Sequence, residues 1–175
     1  MTEQEIYIER YYWTVHVMYD VHSKDAMKVR RYLLDFGCSG IPLEDACNLL
    51  LKGEPNKGIT YSNVDTRKTV VVIGWTTSKA EYMNSLSHEM LHVVQHISEQ
   101  FLINMYGEEV CYLLGWLVQA TVIKWTYLSN GSYRSSELHV CFPHTHNVAQ
   151  RCKMRTSILS LYCLDYVISN LYHKQ

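Results

Sequence analysis

The sequence predicts an α+β fold in which a small antiparallel or mixed sheet packs against two long helices, with an extra helix near the C-terminus. Strands are indicated by aromatic and β-branched runs in the first half of the chain. Long helices are indicated by a capping pattern and by apolar residues at helical spacing in the second half. At 175 residues the chain can bury a sizeable core, and we expect one domain over residues 1–175.

The first half of the chain predicts three strands and two helices. Strands are expected at residues 11–21, 57–64 and 67–75, where aromatic and β-branched residues are dense and turn residues flank the runs. The last two strands are joined at a short turn, as in a hairpin. Between the first two strands, one helix runs from Ser23 to Phe36 and a shorter one from Pro42 to about Leu51.

The second half of the chain predicts two long helices followed by a loop and a final helix. Ser78 and Glu81 form the pattern of a capping box, and apolar residues then recur at helical spacing. The next helix begins near Gly107 and runs to about Tyr127. Residues 129–152 are expected to form a loop, and residues 153–172 a C-terminal helix.

Charge and composition limit the classes of partner. With 16 basic and 17 acidic residues the net charge is −1, so we expect no binding to nucleic acid. The most apolar stretch, Val110 to Ile123, is shorter than the ~20 residues that cross a bilayer, so no membrane partner is expected. Six cysteines show no paired spacing, and residues 1–9 are polar and acidic. We therefore expect reduced thiols and a cytoplasmic location.

One motif in the first long helix indicates chemistry. His88-Glu89-Met90-Leu91-His92 reads HExxH. Two histidines four residues apart lie one turn apart on one face of a helix, where their imidazoles can bind one zinc ion. The glutamate between them can take a proton from a zinc-bound water. The motif therefore predicts a zinc site with His88 and His92 as ligands and Glu89 as general base.

A catalytic zinc site needs a third protein ligand. The pattern HExxHxxGxxH is excluded, because Gln95 and Ser98 occupy its glycine and third histidine positions. His96 lies about 12 Å along the helix axis from the first histidine of the motif, too far to share its zinc, and is expected to be a surface residue or to support the site indirectly. The first turn of the next helix offers two carboxylates, Glu108 and Glu109.

Four segments between about residues 56 and 117 carry a resemblance to a known family: Arg67–Ile73, Thr76–Ser78, His88–His92 and Gly107–Leu113. They resemble small zincin-like metallopeptidases of the gluzincin type, as found among uncharacterised phage and mobile-element proteins of gut bacteria. The resemblance implies that the expected cytoplasmic location is that of a bacterial host cell. The resemblance implies that Glu108 is the third zinc ligand, followed three positions later by the small residue Cys111. Glu109 remains the alternative ligand.

The resemblance also implies a place for the substrate. The strand that precedes the metal helix is expected at the sheet edge, where a peptide could add as an extra strand along residues 69–75. The expected function is hydrolysis of a peptide bond in a peptide or protein substrate, with Zn²⁺ as cofactor. The alternative is a non-catalytic phage structural or host-interaction protein with the same fold.

The late part of the chain is rich in groups that could assist such a site. A further hydrogen-bond donor for the oxyanion could come from Tyr133, His139, His144 or His146. The histidines of this set also cluster in sequence with Cys141 and Cys152, which leaves open a second, structural zinc site, a latch over the catalytic zinc or an ordinary loop.

Overall fold

The computed structural model describes the backbone of residues 1–129 and the side chains of residues 1–122. The described residues belong to the first of two units into which the chain divides, Met1–Phe142 and Pro143–Gln175. The described part forms four strands and four α-helices: β1 (Thr2–Ile8), β2 (Trp13–Val21), α1 (Ala26–Asp35), α2 (Ile41–Lys52), β3 (Gly58–Asn63), β4 (Lys68–Gly74), α3 (Lys79–Phe101) and α4 (Glu108–Ser129).

The four strands form one mixed sheet in the order β1-β2-β4-β3. The pairs β1–β2 and β3–β4 are antiparallel, whereas β2 and β4 run parallel. A parallel pair needs a long crossover connection, and α1 and α2 lie within the segment that provides it. The described part is therefore α+β with a small mixed sheet, as the sequence predicts.

The sheet is covered by helices on both faces. One buried cluster joins alternate residues of β2, including Val15 and Val17, to apolar residues of α3 and α4. The other cluster joins Met18, Val70 and Val72 to apolar residues of α1 and α2. Strand β4 is buried on both sides, which explains why its sequence is a continuous β-branched run rather than an alternation.

The position of β4 corrects one expectation from the sequence. The strand that precedes α3 is not at the sheet edge, because it pairs with β2 on one side and β3 on the other. A peptide therefore cannot add along residues 69–75. The edge beside α3 is β3, where Thr60 and Ser62 contact side chains of the helix.

Helices α3 and α4 are antiparallel and pack against each other on one face of the sheet. Phe101, the last residue of α3, packs on Tyr11 in the turn between β1 and β2. The first turn of α4 meets the same place, because Tyr11 donates a hydrogen bond to Glu109, 2.5 Å apart. Further along α4 the carbonyl oxygen of Ala120 accepts a hydrogen bond from Gln4 on β1. Helix α4 thus contacts β1, whereas α3 contacts β3 and β4.

Two further results concern the secondary structure predicted near the two ends of the chain. Residues 2–8 form a strand that the sequence analysis did not predict. The predicted loop beyond Ser129 and the predicted helix over residues 153–172 lie outside the described residues. No helix in residues 1–129 is long and apolar enough to cross a membrane.

Candidate metal centre

The local sequence places the HExxH motif in the middle of a continuous helix. Ser78 lies in extended conformation before α3, and its side-chain oxygen accepts a hydrogen bond from the backbone N–H of Glu81, as the capping pattern predicts. The helix then continues for 23 residues and ends where Leu102 adopts a left-handed conformation. The motif therefore has regular helical geometry on both sides.

His88 and His92 turn their rings toward one point in space. Their Nε2 atoms lie 3.1 Å apart, and the rings are nearly perpendicular at an interplanar angle of 82°. Zinc bonds of about 2.0–2.1 Å to two imidazoles in tetrahedral geometry need a nitrogen separation of about 3.3–3.4 Å. The observed separation is close to this value. Without metal, the same distance allows one Nε2–H to donate a hydrogen bond to the other ring.

His92 is oriented by a neighbour one turn further along α3. Its Nδ1 lies 3.1 Å from the side-chain oxygen of Gln95, which can accept a hydrogen bond from the Nδ1–H group. This contact leaves the lone pair on Nε2, the atom that faces His88. Zinc-bound histidines are commonly held in this way by an acceptor on the second ring nitrogen. Gln95, which the sequence analysis used only to exclude a longer motif, supports the pair.

Glu89 lies between α3 and the edge strand β3. Only 5% of the residue is exposed, and Thr60 donates a hydrogen bond from its hydroxyl to a carboxylate oxygen at 2.7 Å. The strand comes so close that a Cβ atom built on Gly58 would lie 2.6 Å from the Cγ and Cδ atoms of Glu89. The glycine therefore makes room for this carboxylate against the edge strand.

His96 extends the histidine face and also contacts β3. Its Nδ1 lies 2.8 Å from the hydroxyl of Ser62, and its ring stacks beside that of His92 with a centroid distance of 6.4 Å. Burial lowers the pKa of His96; Glu99 opposes this shift and His92 adds to it. His96 is a half-buried neighbour of the pair, which agrees with its expected place outside the ligand set.

The two candidate carboxylates of α4 lie away from the histidine pair. Glu108 is exposed in the first turn of α4. Glu109 forms a 2.7 Å ion pair with Arg10 and accepts the hydrogen bond from Tyr11. Glu109 contacts the segment between β1 and β2 on which Phe101 also packs, and Phe101 lies nine residues, or about 13.5 Å, along α3 from His92.

No set of three ligands is assembled within the described side chains. Among residues 1–122 there is no group of three or more His, Cys, Asp or Glu side chains that could hold a metal ion. The structure brings together His88 and His92 but does not add Glu108 to them, so its role as third ligand stays a prediction. The histidines and cysteines from residue 139 to residue 152 lie outside the described residues.

The polar side chains of β3 are functional candidates that sequence reasoning missed. Gly58, Thr60 and Ser62 alternate along β3 and lie on the face that contacts α3. A strand with small and hydroxyl side chains at every second position, close before an HExxH helix, was the available signal.

Comparisons of the chain with family models, with curated proteins and with solved structures return no match.

Proposed function

We propose that the chain is a zinc-dependent metallopeptidase of zincin-like architecture, with His88 and His92 as ligands and Glu89 as general base. The observation that carries this proposal is the 3.1 Å convergence of the two Nε2 atoms beside a glutamate packed against an edge strand. Two imidazoles fit two of the three protein ligands of a catalytic zinc. The third ligand is Glu108, as predicted from sequence, with Glu109 as the alternative, or a residue outside the described part.

The chain's own residues supply the remaining parts of a hydrolytic site. When bound, zinc would lower the pKa of a coordinated water and polarise a substrate carbonyl. Glu89 would serve as general base, taking a proton from the attacking water and passing it to the leaving amine. Thr60 holds the Glu89 carboxylate by its 2.7 Å hydrogen bond. The edge strand β3 offers backbone groups to which an extended peptide can add, in place of the inner strand β4.

The test combines metal content with cleavage of a peptide library. Wild-type protein should hold about one zinc per chain and cleave peptides, whereas Glu89→Gln should keep the zinc and lose activity by about 10²–10⁴-fold, as expected for removal of a general base. His92→Ala should lose zinc and activity together. Wild-type protein without zinc, or Glu89→Gln protein that cleaves normally, contradicts the proposal.

One observation favours a second candidate, a non-catalytic phage structural or host-interaction protein of the same architecture. Glu89 is almost fully buried and tied to Thr60, so its role could be to join α3 to β3 rather than to move protons. This candidate predicts that Glu89→Gln lowers stability and that neither protein cleaves the library. The first candidate predicts cleavage by wild-type protein alone.

A further inference from the structure

A chain of hydrogen bonds leads from the interior of the sheet to His96. Trp13 on β2 donates from its indole nitrogen to the hydroxyl of Thr69 on β4, at 2.8 Å. The Thr69 hydroxyl lies 2.7 Å from that of Ser62, its directly opposite partner on β3. The Ser62 hydroxyl lies 2.8 Å from Nδ1 of His96. Side chains of β2, β4 and β3 are thus linked by hydrogen bonds to one ring nitrogen of His96.

The donors in this chain fix its direction. An indole nitrogen can only donate, so the Thr69 oxygen accepts from Trp13 and its own hydrogen needs another acceptor. Thr69 is fully buried, and the Ser62 oxygen is the one acceptor for that hydrogen among the described side chains. The Ser62 hydroxyl is half-buried, and Nδ1 of His96, at 2.8 Å, is the acceptor within reach of its hydrogen among the described residues, so we assign the donor role to Ser62. The Nδ1 atom of His96 therefore carries the lone pair.

This direction sets the tautomer of His96. A neutral imidazole with an accepting Nδ1 carries its hydrogen on Nε2. Within the described residues Nε2 has no hydrogen-bond partner, and His96 borders an open pocket of about 240 Å³ with Ser62, Val64, Glu99 and Gln100. The pocket lies beside the edge strand, one helical turn beyond His92. The Nε2–H group of His96 is therefore a donor that lies next to β3, the strand along which a peptide would bind.

We propose that His96, held as its Nε2–H tautomer by Trp13, Thr69 and Ser62, is a further substrate-binding residue that donates a hydrogen bond to a carbonyl oxygen of a peptide bound along β3. This inference rests on the proposed peptidase function. It assigns His96 to binding and orienting the peptide, outside the zinc ligands and apart from proton transfer.

The first test is spectroscopic and does not depend on activity. Two-dimensional ¹H–¹⁵N spectra of the imidazole nitrogens, recorded on zinc-free protein above the pKa of His96, should show a protonated Nε2 and an unprotonated Nδ1. Ser62→Ala should produce a mixture of the two tautomers, whereas Gln100→Ala, a control in the same pocket, should not. A protonated Nδ1 in wild-type protein overturns the proposal.

The second test is kinetic. His96→Phe keeps a ring but loses the donor, and it should raise KM by about 3- to 10-fold, as expected for one neutral hydrogen bond, with kcat and zinc content unchanged. Ser62→Ala, which leaves His96 in place, should raise KM by less. An unchanged KM in His96→Phe, with normal cleavage by wild-type protein, overturns this inference alone. Wild-type protein that cleaves no peptide overturns it together with the proposed function.

Discussion

The contact between Gly58 and Glu89 allows a test of the site that needs no substrate. A Cβ atom at position 58 would lie 2.6 Å from two carbons of the Glu89 side chain, about 1 Å inside an ordinary carbon–carbon contact of about 3.5–4.0 Å. Gly58 is not among the residues with positive φ, so its backbone accepts alanine. Gly58→Ala should therefore cost about 1–3 kcal/mol through overpacking alone. The melting temperature should fall by about 2–12 °C.

The loss of stability caused by Gly58→Ala must depend on which side chain occupies position 89. Gly58→Ala should remain costly in a Glu89→Gln background, because glutamine has nearly the same shape. It should become almost neutral in a Glu89→Ala background, since the overlapping atoms are then absent. The cost of Gly58→Ala should differ by at least about 1 kcal/mol between the wild-type and Glu89→Ala backgrounds. Urea unfolding in a double-mutant cycle measures this coupling energy.

A matched glycine serves as control. Among the described residues, a Cβ atom at Gly115 in α4 would meet nothing within 4 Å, so Gly115→Ala should raise stability slightly, by up to about 1 kcal/mol, in all three backgrounds. An equal cost of Gly58→Ala in the wild-type and Glu89→Ala backgrounds would show that β3 does not press against the carboxylate. If the chain is a peptidase, Gly58→Ala should also lower kcat by about 10²-fold with zinc retained, because the base is displaced by about 1 Å.

Three further predictions concern the ligand set and the opposite edge of the sheet. Gln95→Leu removes the acceptor that orients His92 and should weaken zinc binding by about 10- to 100-fold in competition with a chelator; unchanged affinity would mean that the contact does not support the site. Glu108→Gln should leave zinc affinity unchanged if the described arrangement holds with metal bound, and a large loss would establish it as the third ligand. Burial alone would raise the pKa of Glu3, but Lys28, Tyr32 and His16 together lower it below its usual value. Glu3→Gln should therefore lower stability at neutral pH. The deficit relative to wild type should shrink as the pH falls below about 4.5, because Glu3 becomes protonated in both folded and unfolded wild-type protein.

Local signals were sufficient to predict the elements around the motif. The cap at Ser78, the helical spacing of apolar residues and the β-branched run before it depend on residues close in sequence. The start of α3 and both ends of β4 accordingly lie within a few residues of the predicted positions. The same local geometry brings His88 and His92 together, because residues four apart on a helix need no tertiary contact to converge.

Features that depend on distant residues were not predicted. Strand β1 has a polar sequence, and its polar side chains find partners far along the chain: Glu3 contacts Lys28 and Tyr32, and Gln4 accepts a hydrogen bond from Tyr19. The order of strands is equally non-local, because the crossover through α1 and α2 moves β4 into the interior of the sheet. The edge on which a peptide could add was therefore misplaced by one strand.

The position of the first turn of α4, beside the C-terminal end of α3, limits where a third metal ligand can originate. To carry a carboxylate to the histidine pair, the first turn of α4 would have to leave its contacts beside the end of α3 and move about 13.5 Å along that helix, because His92 lies nine residues before Phe101. A donor approaching the β3 edge from the solvent side meets no such obstacle, because His88 is exposed there. Two imidazoles alone bind zinc weakly, so tight binding by a Glu108→Gln, Glu109→Gln double variant would indicate a donor that reaches the pair from that side and lies outside the first turn of α4.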